Sequence, residues 1–311
     1  MTIDWKGVYP AVTTKFFEDG SLDMGTFEKN IIAQIEAGVN GIILGGSLGE
    51  ASTLKNSEKL ELVQKTLELV DDKIPVIMNI AEKTTSDAIK TARDAEKLGA
   101  SGIMILPPMQ YKADNRETVE YFKAVAKTTD LPIMIYNNPV DYGILVTLDM
   151  FEELIKLDNI KAVKESTRDT ANITRMINRF GDRLKILSGV DTFALESMVL
   201  GASGWVAGLV CAFPRETVAI YRLVKAGRIQ DALKIYRWFM PLLELDITPK
   251  LVQNIKLAEV ATGIGTEFVR QPRLRLVGKE RERVLNTINT SLNNRDGIDE
   301  LLSHQNMINQ T

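Results

Sequence analysis

Two residues of this 311-residue chain stand where a carbonyl-activating pair would stand. Lys164 follows Ile160-Lys161-Ala162-Val163, so alternation along a strand puts Ile160, Ala162 and Lys164 on one face. A lysine among apolar neighbours is poorly hydrated, which lowers its pKa and frees the amine to attack a carbonyl. The imine so formed withdraws electrons from the adjacent carbon. Tyr136 closes the preceding apolar run and is followed by Asn137-Asn138-Pro139. Neighbouring parallel strands lie about 4.8 Å apart, close enough for a phenol at one strand end to move protons at the next. Position alone leaves two other readings open: a rim lysine paired with a carboxylate, and a rim aromatic with a satisfied hydroxyl.

A third segment, Gly45-Gly46-Ser47-Leu48-Gly49-Glu50, leads from an apolar run into a helix. Its glycines permit close backbone approach, and the N–H groups with the Ser47 hydroxyl suit a carboxylate or a phosphate. Gly189 and Gly204-Trp205-Val206-Ala207-Gly208 fall at two later strand ends, where small residues leave room for a ligand. Other chemistries are poorly supplied. One histidine and one cysteine cannot assemble a His/Cys zinc site. His304 sits in a polar tail and is expected to be solvated. No Gly-x-Gly-x-x-Gly follows the first apolar run, so a dinucleotide fingerprint is absent. Neither a metal nor a cofactor is expected.

The elements that must position these residues are short apolar runs at 8–12, 41–44, 74–80, 102–106, 131–136, 160–163, 184–187 and 204–207. Each is too short for a typical helix, and helical periodicity fills the gaps between them. Phe27, Ile31, Ile32 and Ile35 are expected on one helix face, and Ala88, Ala92 and Ala95 on another. Start signals stand at Asn56 and Thr147, and Gly38 and Gly99 fall where helix C-caps belong. Buried-type strands alternating with amphipathic helices predict a parallel sheet covered by helices, and eight repeats favour a (β/α)8 TIM barrel over 1–225. Residues 226–311 read as helices only, at 229–245, 249–261 and 280–292, forming a C-terminal extension packed on the barrel rather than an independent domain. The net charge of −3, with both signs interspersed, gives no attraction to nucleic acid or anionic membrane. No run reaches the ~18 apolar residues of a membrane span, and a cytoplasmic location is expected.

Together these features resemble the dihydrodipicolinate synthase / N-acetylneuraminate lyase family of class I Schiff-base aldolases over nearly the whole chain. Gly46-Ser47-Leu48-Gly49-Glu50 corresponds to the family's Gly-x-x-Gly-Glu loop, Tyr136-Asn137-Asn138-Pro139 to its Tyr-Asn-x-Pro, and Val163-Lys164-Glu165-Ser166 to its Schiff-base strand. The resemblance implies Lys164 as the imine-forming residue and Tyr136 as the proton shuttle. Ser47 with its neighbouring backbone amides, Gly46 and Leu48, would hold the substrate carboxylate. The Val206 carbonyl would line the pocket, and Asn138 and Gly189 are counted as further substrate-binding residues. A homotetramer, a dimer of dimers, is implied as well.

The departures narrow the substrate. Leu48 stands where the synthase has a second threonine, and no tyrosine is in clear register with the one it relays protons through, although Tyr111 lies close. Val140-Asp141-Tyr142-Gly143 stands where the synthase carries a carboxylate-binding arginine, and Asp141 would repel that carboxylate. The whole pattern is most similar to the 1-pyrroline-4-hydroxy-2-carboxylate deaminase branch. That implies ring opening on Lys164, loss of the 4-hydroxyl, and release of ammonia and 2-oxoglutarate semialdehyde. Alternatives are a 2-keto-3-deoxy sugar-acid aldolase or dehydratase, a synthase-like condensation with pyruvate, and a non-catalytic barrel that binds a 2-oxo acid.

Overall fold

The computed structural model describes residues 3–302, so His304 lies outside the described residues. In chain order the elements are β1 (Gly7–Pro10), α1 (Met24–Ala37), β2 (Ile42–Leu44), α2 (Asn56–Val70), β3 (Val76–Ile80), α3 (Thr85–Leu98), β4 (Gly102–Ile105) and α4 (Asn115–Ala126). There follow β5 (Ile133–Asn137), the short α5 (Pro139–Tyr142), α6 (Leu148–Leu154), β6 (Ile160–Glu165), α7 (Ala171–Phe180), β7 (Lys185–Ser188), α8 (Ala194–Val199), β8 (Gly204–Ala207) and α9 (Pro214–Lys225). Three further helices follow, α10 (Ile229–Leu243), α11 (Leu251–Ala261) and α12 (Gly278–Asn293), and residues 298–302 are helical again.

All eight strands are parallel, in the order β1-β8-β7-β6-β5-β4-β3-β2. A parallel bridge between Ala11 and Ile43, with Val12 N–H donating to the Ile43 carbonyl at 3.0 Å, joins β1 to β2 and closes the cylinder. The fold is therefore a (β/α)8 TIM barrel. Its strands are buried on both faces, which is why they read as apolar runs rather than alternating ones. Among the described residues no helix is long and apolar enough to cross a membrane.

Local signals explain most element ends. Gly38 and Gly99 adopt left-handed conformations (φ 83° and 91°) and cap α1 and α3. Thr147 caps α6 by accepting from Met150 N–H, whereas Asn56 is the first residue of α2 and Lys55 its cap. Strand ends differ from the sequence reading by at most two residues, most usefully at β6, which runs on through Lys164 to Glu165. One inner face was misjudged. Ile32 is exposed, because Asn30 and Gln34 take the inward positions of α1 and donate to the carbonyls of Val210, Cys211 and Ile264. The Val210 and Cys211 carbonyls follow β8, the Ile264 carbonyl follows α11, and all require donors once buried.

The three C-terminal helices lie against the barrel. Phe213 of the β8–α9 connection packs edge-on against Phe239 of α10, with ring centroids 5.5 Å apart. Trp238 Nε1–H donates to the Ser291 carbonyl at 2.9 Å, tying α10 to α12. Buried charges do the rest. Lys256 of α11 pairs with Glu50 at 2.6 Å, and Glu259 of α11 accepts from Thr13 and Lys15 at 2.5 and 3.0 Å.

Candidate active site

The C-terminal ends of β5 and β6 place Tyr136 and Lys164 opposite each other in register. Lys164 Nζ lies 4.0 Å from the centroid of the Tyr136 ring. Both side chains are buried. They line one cavity of about 700 Å³ including its open mouth, together with Gly46, Ser47, Leu48, Asn138, Gly189 and Val206. Every site residue expected from the sequence thus faces the same space.

Lys164 makes no ion pair among the described residues. Burial lowers its pKa, opposed by the acidic groups of Tyr142, Asp246, Asp191 and Asp141 around it. The alternative of a rim lysine bonded to a carboxylate is not what the structure shows. Its neighbour on the opposite strand face, Glu165, is engaged elsewhere, accepting from Asn137 Nδ2 at 3.0 Å and Thr167 N–H at 3.0 Å. Gly189 is required where it stands. A Cβ there would come within 2.1 Å of Ser166 Oγ and 2.6 Å of Lys164 Cγ. A glycine is the only residue that lets β7 end this close to the lysine stem.

Tyr136 Oη accepts from Asn138 Nδ2 at 3.1 Å, and burial raises its pKa strongly, so the phenol keeps its proton at rest. Asn138 Nδ2 also donates to Asp141 at 2.7 Å, while its Oδ1 accepts from Asp141 N–H at 3.1 Å and caps α5. Pro139 at the first helical position suits that turn. The turn carries Tyr142 back over the cavity, its ring edge-on to Tyr136 at 5.6 Å. Tyr142 Oη is hydrogen-bonded to Ser47 Oγ. The N–H groups of Gly46, Ser47 and Leu48 meet no protein acceptor among the described residues and are free for a carboxylate. Glu50 at the end of this loop has a left-handed backbone (φ 57°) and is held by Lys256 Nζ at 2.6 Å and Arg270 N–H at 3.0 Å. The loop is thereby anchored to α11 and the segment after it.

Sequence reasoning missed several groups. Tyr142, Ser166, Arg168, Asp246, Ile247 and Leu251 also line the cavity. Arg168 is exposed at the rim, with a left-handed backbone (φ 62°), and makes no ion pair among the described residues. Asp246 comes from the turn after α10, far along the chain, and no local motif marks it. Asp191 lies behind the wall and accepts from Trp205 Nε1–H at 2.8 Å, Leu209 N–H at 2.8 Å and Gly208 N–H at 3.1 Å. Tyr111 does not join the site. It is 58% exposed and borders a separate hollow with Pro108 and Glu117. Among the described residues no group of three or more His, Cys, Asp or Glu is arranged to hold a metal ion.

What this geometry can do is form an imine. A water-poor amine, a protonated phenol and a row of free N–H groups face one small cavity. The comparisons agree at the level of family. The model of the dihydrodipicolinate synthetase family matches residues 4–291. The chain is 29% identical to the 4-hydroxy-tetrahydrodipicolinate synthase of Methanothrix thermoacetophila, covering 94% of this chain and 99% of that one. It is 31% identical to that of Exiguobacterium sibiricum, covering 88% and 92%. The solved 4-hydroxy-tetrahydrodipicolinate synthase of Methylacidiphilum fumariolicum SolV superposes with a TM-score of 0.90 at 28% identity, covering 95% and 99%. A monomeric dihydrodipicolinate synthase variant superposes at 0.86, with 28% identity and coverage of 92% and 96%. The chain belongs to the dihydrodipicolinate synthetase family and is an enzyme of its class I Schiff-base lyase type.

Proposed function

We propose that the enzyme opens and deaminates 1-pyrroline-4-hydroxy-2-carboxylate through an imine on Lys164, giving 2-oxoglutarate semialdehyde and ammonia with net uptake of one water. The neutral Lys164 amine attacks carbon 2, and Tyr136 protonates the ring nitrogen. A proton passes from the lysine nitrogen to the ring nitrogen, which leaves as an amine. The Tyr136 phenolate then takes a proton from carbon 3, leaving an enamine and a restored phenol. Loss of the 4-hydroxyl leaves a double bond between carbons 3 and 4, proton shifts from carbon 5 and its nitrogen to carbons 3 and 4 turn the carbon 5 amine into an imine, and hydrolysis of that imine and of the Lys164 imine completes the reaction. The Gly46–Leu48 amides and Ser47 hold the single carboxylate.

The observation that carries this reading is the cavity's charge. Where a second substrate carboxylate would need a cation after the Tyr-Asn-x-Pro stretch, the wall presents Asp141, and Asp246 lines the same space. The Asp141 carboxylate repels a dianion, and a wall of acidic groups favours substrates rich in hydroxyl or amine groups. One observation favours a second reading, condensation of pyruvate with a carboxylated aldehyde, the reaction type named for several relatives: Arg168, free at the rim, is a cation such an aldehyde would use. A homotetramer is the assembly proposed with either reading, and light scattering of the purified enzyme measures it.

Borohydride reduction in the presence of pyruvate, followed by peptide mass mapping, tests the shared step. The expected result is a stable adduct on Lys164, and an adduct elsewhere or none with pyruvate or the cyclic imine overturns it. Ammonia release from 1-pyrroline-4-hydroxy-2-carboxylate, against aldehyde-dependent consumption of pyruvate, then separates the two readings.

A further inference from the structure

We propose that Asp246 is the acid that protonates the departing hydroxyl two carbons from the imine, a role that rests on Lys164 forming that imine. The C-terminal helices would then complete the active site rather than merely cover the barrel.

Three observations lead there. First, Asp246 is delivered to the cavity by a built turn. Tyr236 of α10 donates its hydroxyl to the Asp191 carbonyl at 3.0 Å, docking α10 onto the end of β7. Asn254 of α11 donates to the Leu245 carbonyl at 3.1 Å and to Thr248 Oγ1 at 2.8 Å, holding the residues on either side of Asp246. Second, the barrel leaves space for it. A Cβ on Gly208 would come within 2.4 Å of Asp246 Oδ1, so the carboxyl rests directly on the glycine backbone beyond β8. Third, Asp246 is unpaired among the described residues. It lines the cavity and makes no hydrogen bond or ion pair among the described residues. Asp191 nearby is the contrast, with its carboxylate filled by an indole and two backbone donors. A carboxyl placed this carefully and left unpaired is free to bond a ligand.

Its protonation state suits an acid. Burial pushes its carboxyl well above the usual range; Asp191 and Asp141 add to this, while Lys164 and Arg168 oppose it. A neutral carboxyl beside a substrate hydroxyl can donate to it.

In the enamine, the nitrogen lone pair re-forms the iminium bond, and the carbon 2–carbon 3 pair shifts to join carbons 3 and 4. The carbon 4–oxygen bond breaks, and its pair stays with oxygen, which takes the Asp246 proton and leaves as water. Asp246 becomes a carboxylate and regains a proton through the open mouth. The same contact would serve any 2-oxo acid with a hydroxyl on that carbon, including 2-keto-3-deoxy sugar acids.

The test compares two reactions of one enzyme. Pyruvate in D2O exchanges its methyl protons through the Lys164 enamine and has no hydroxyl to lose. 1-Pyrroline-4-hydroxy-2-carboxylate and a 2-keto-3-deoxy sugar acid need the elimination. For Asp246→Asn, turnover of at least one hydroxylated substrate should fall by about 10²-fold or more, while exchange falls by less than about tenfold. Asp246→Glu, which keeps an acid on a longer arm, should recover part of the turnover. The role is overturned if neither activity of Asp246→Asn falls, if both fall together while thermal unfolding is unchanged, or if Asp246→Glu is as slow as Asp246→Asn. It is likewise overturned if the parent exchanges pyruvate but consumes neither hydroxylated compound. A parent that exchanges nothing overturns the Schiff-base reading itself, which is a separate result.

Discussion

Lys164 at the barrel mouth and Lys256 beneath the Gly46–Leu48 loop are both buried lysines, and their surroundings are opposite. Lys256 sits against Glu50 at 2.6 Å and the Phe268 carbonyl at 2.6 Å, with the Phe16 ring 4.7 Å away. Burial lowers its pKa to about 8, opposed by Glu50, so it stays protonated at neutral pH and clamps the loop to α11. Lys164 faces a phenol ring and open cavity, with carboxylates near but none bonded. Burial therefore acts on the two amines alike, and the presence of a bonded carboxylate decides which becomes a strut and which a nucleophile.

The comparison breaks most visibly at Lys164 itself. Lys164→Ala should abolish turnover and the borohydride adduct while the circular dichroism spectrum is unchanged. A variant that still forms the adduct would move the nucleophile elsewhere. Tyr136→Phe should slow turnover by about 10²–10⁴-fold, the usual worth of a positioned proton carrier. Gly189→Ala should slow adduct formation by about 10²-fold, because the new methyl displaces the lysine stem from its reactive position. Single-turnover trapping measures it.

At the other lysine the readout is stability. Lys256→Met leaves buried Glu50 with only the Arg270 N–H at 3.0 Å and the Arg273 guanidinium at 3.9 Å, and should lower unfolding free energy in urea by about 3–5 kcal/mol. The double change Lys256→Met with Glu50→Gln should recover most of it. The smallest effect concerns pH. The unfolded chain protonates Lys164 near the ordinary lysine value of about 10.4, the folded chain only at its lowered value. Between those values the unfolded state holds more protons, so the folded state is penalised as pH falls. Stability of the parent relative to Lys164→Met should accordingly be higher at pH 10.5 than at pH 8, as measured by paired urea titrations.

Much of this was legible in the chain. Buried parallel strands write themselves as short apolar runs, and helices write themselves as 3.6-residue periodicity, so strand count and order of elements could be read directly. Lys164 and Tyr136 were legible because period-two alternation assigns a face and consecutive parallel strands are neighbours. The errors have equally local causes. Ile32 was placed inward because polar residues were assumed to face out, yet Asn30 and Gln34 are needed inside to satisfy carbonyls after β8.

What the sequence by itself determined is the alternation of elements and the faces of their residues, since both follow from backbone geometry repeated every two or 3.6 residues. What only the tertiary structure decided is which distant groups meet at the mouth. Asp246, Ile247 and Leu251 reach the cavity because Tyr236 docks on the Asp191 carbonyl and Lys256 on Glu50. Those are contacts between residues far apart in the chain, and no periodicity encodes them. The charge of the site follows from the same contacts, because burial and partners, not residue type, set whether an amine or a carboxyl is ionised.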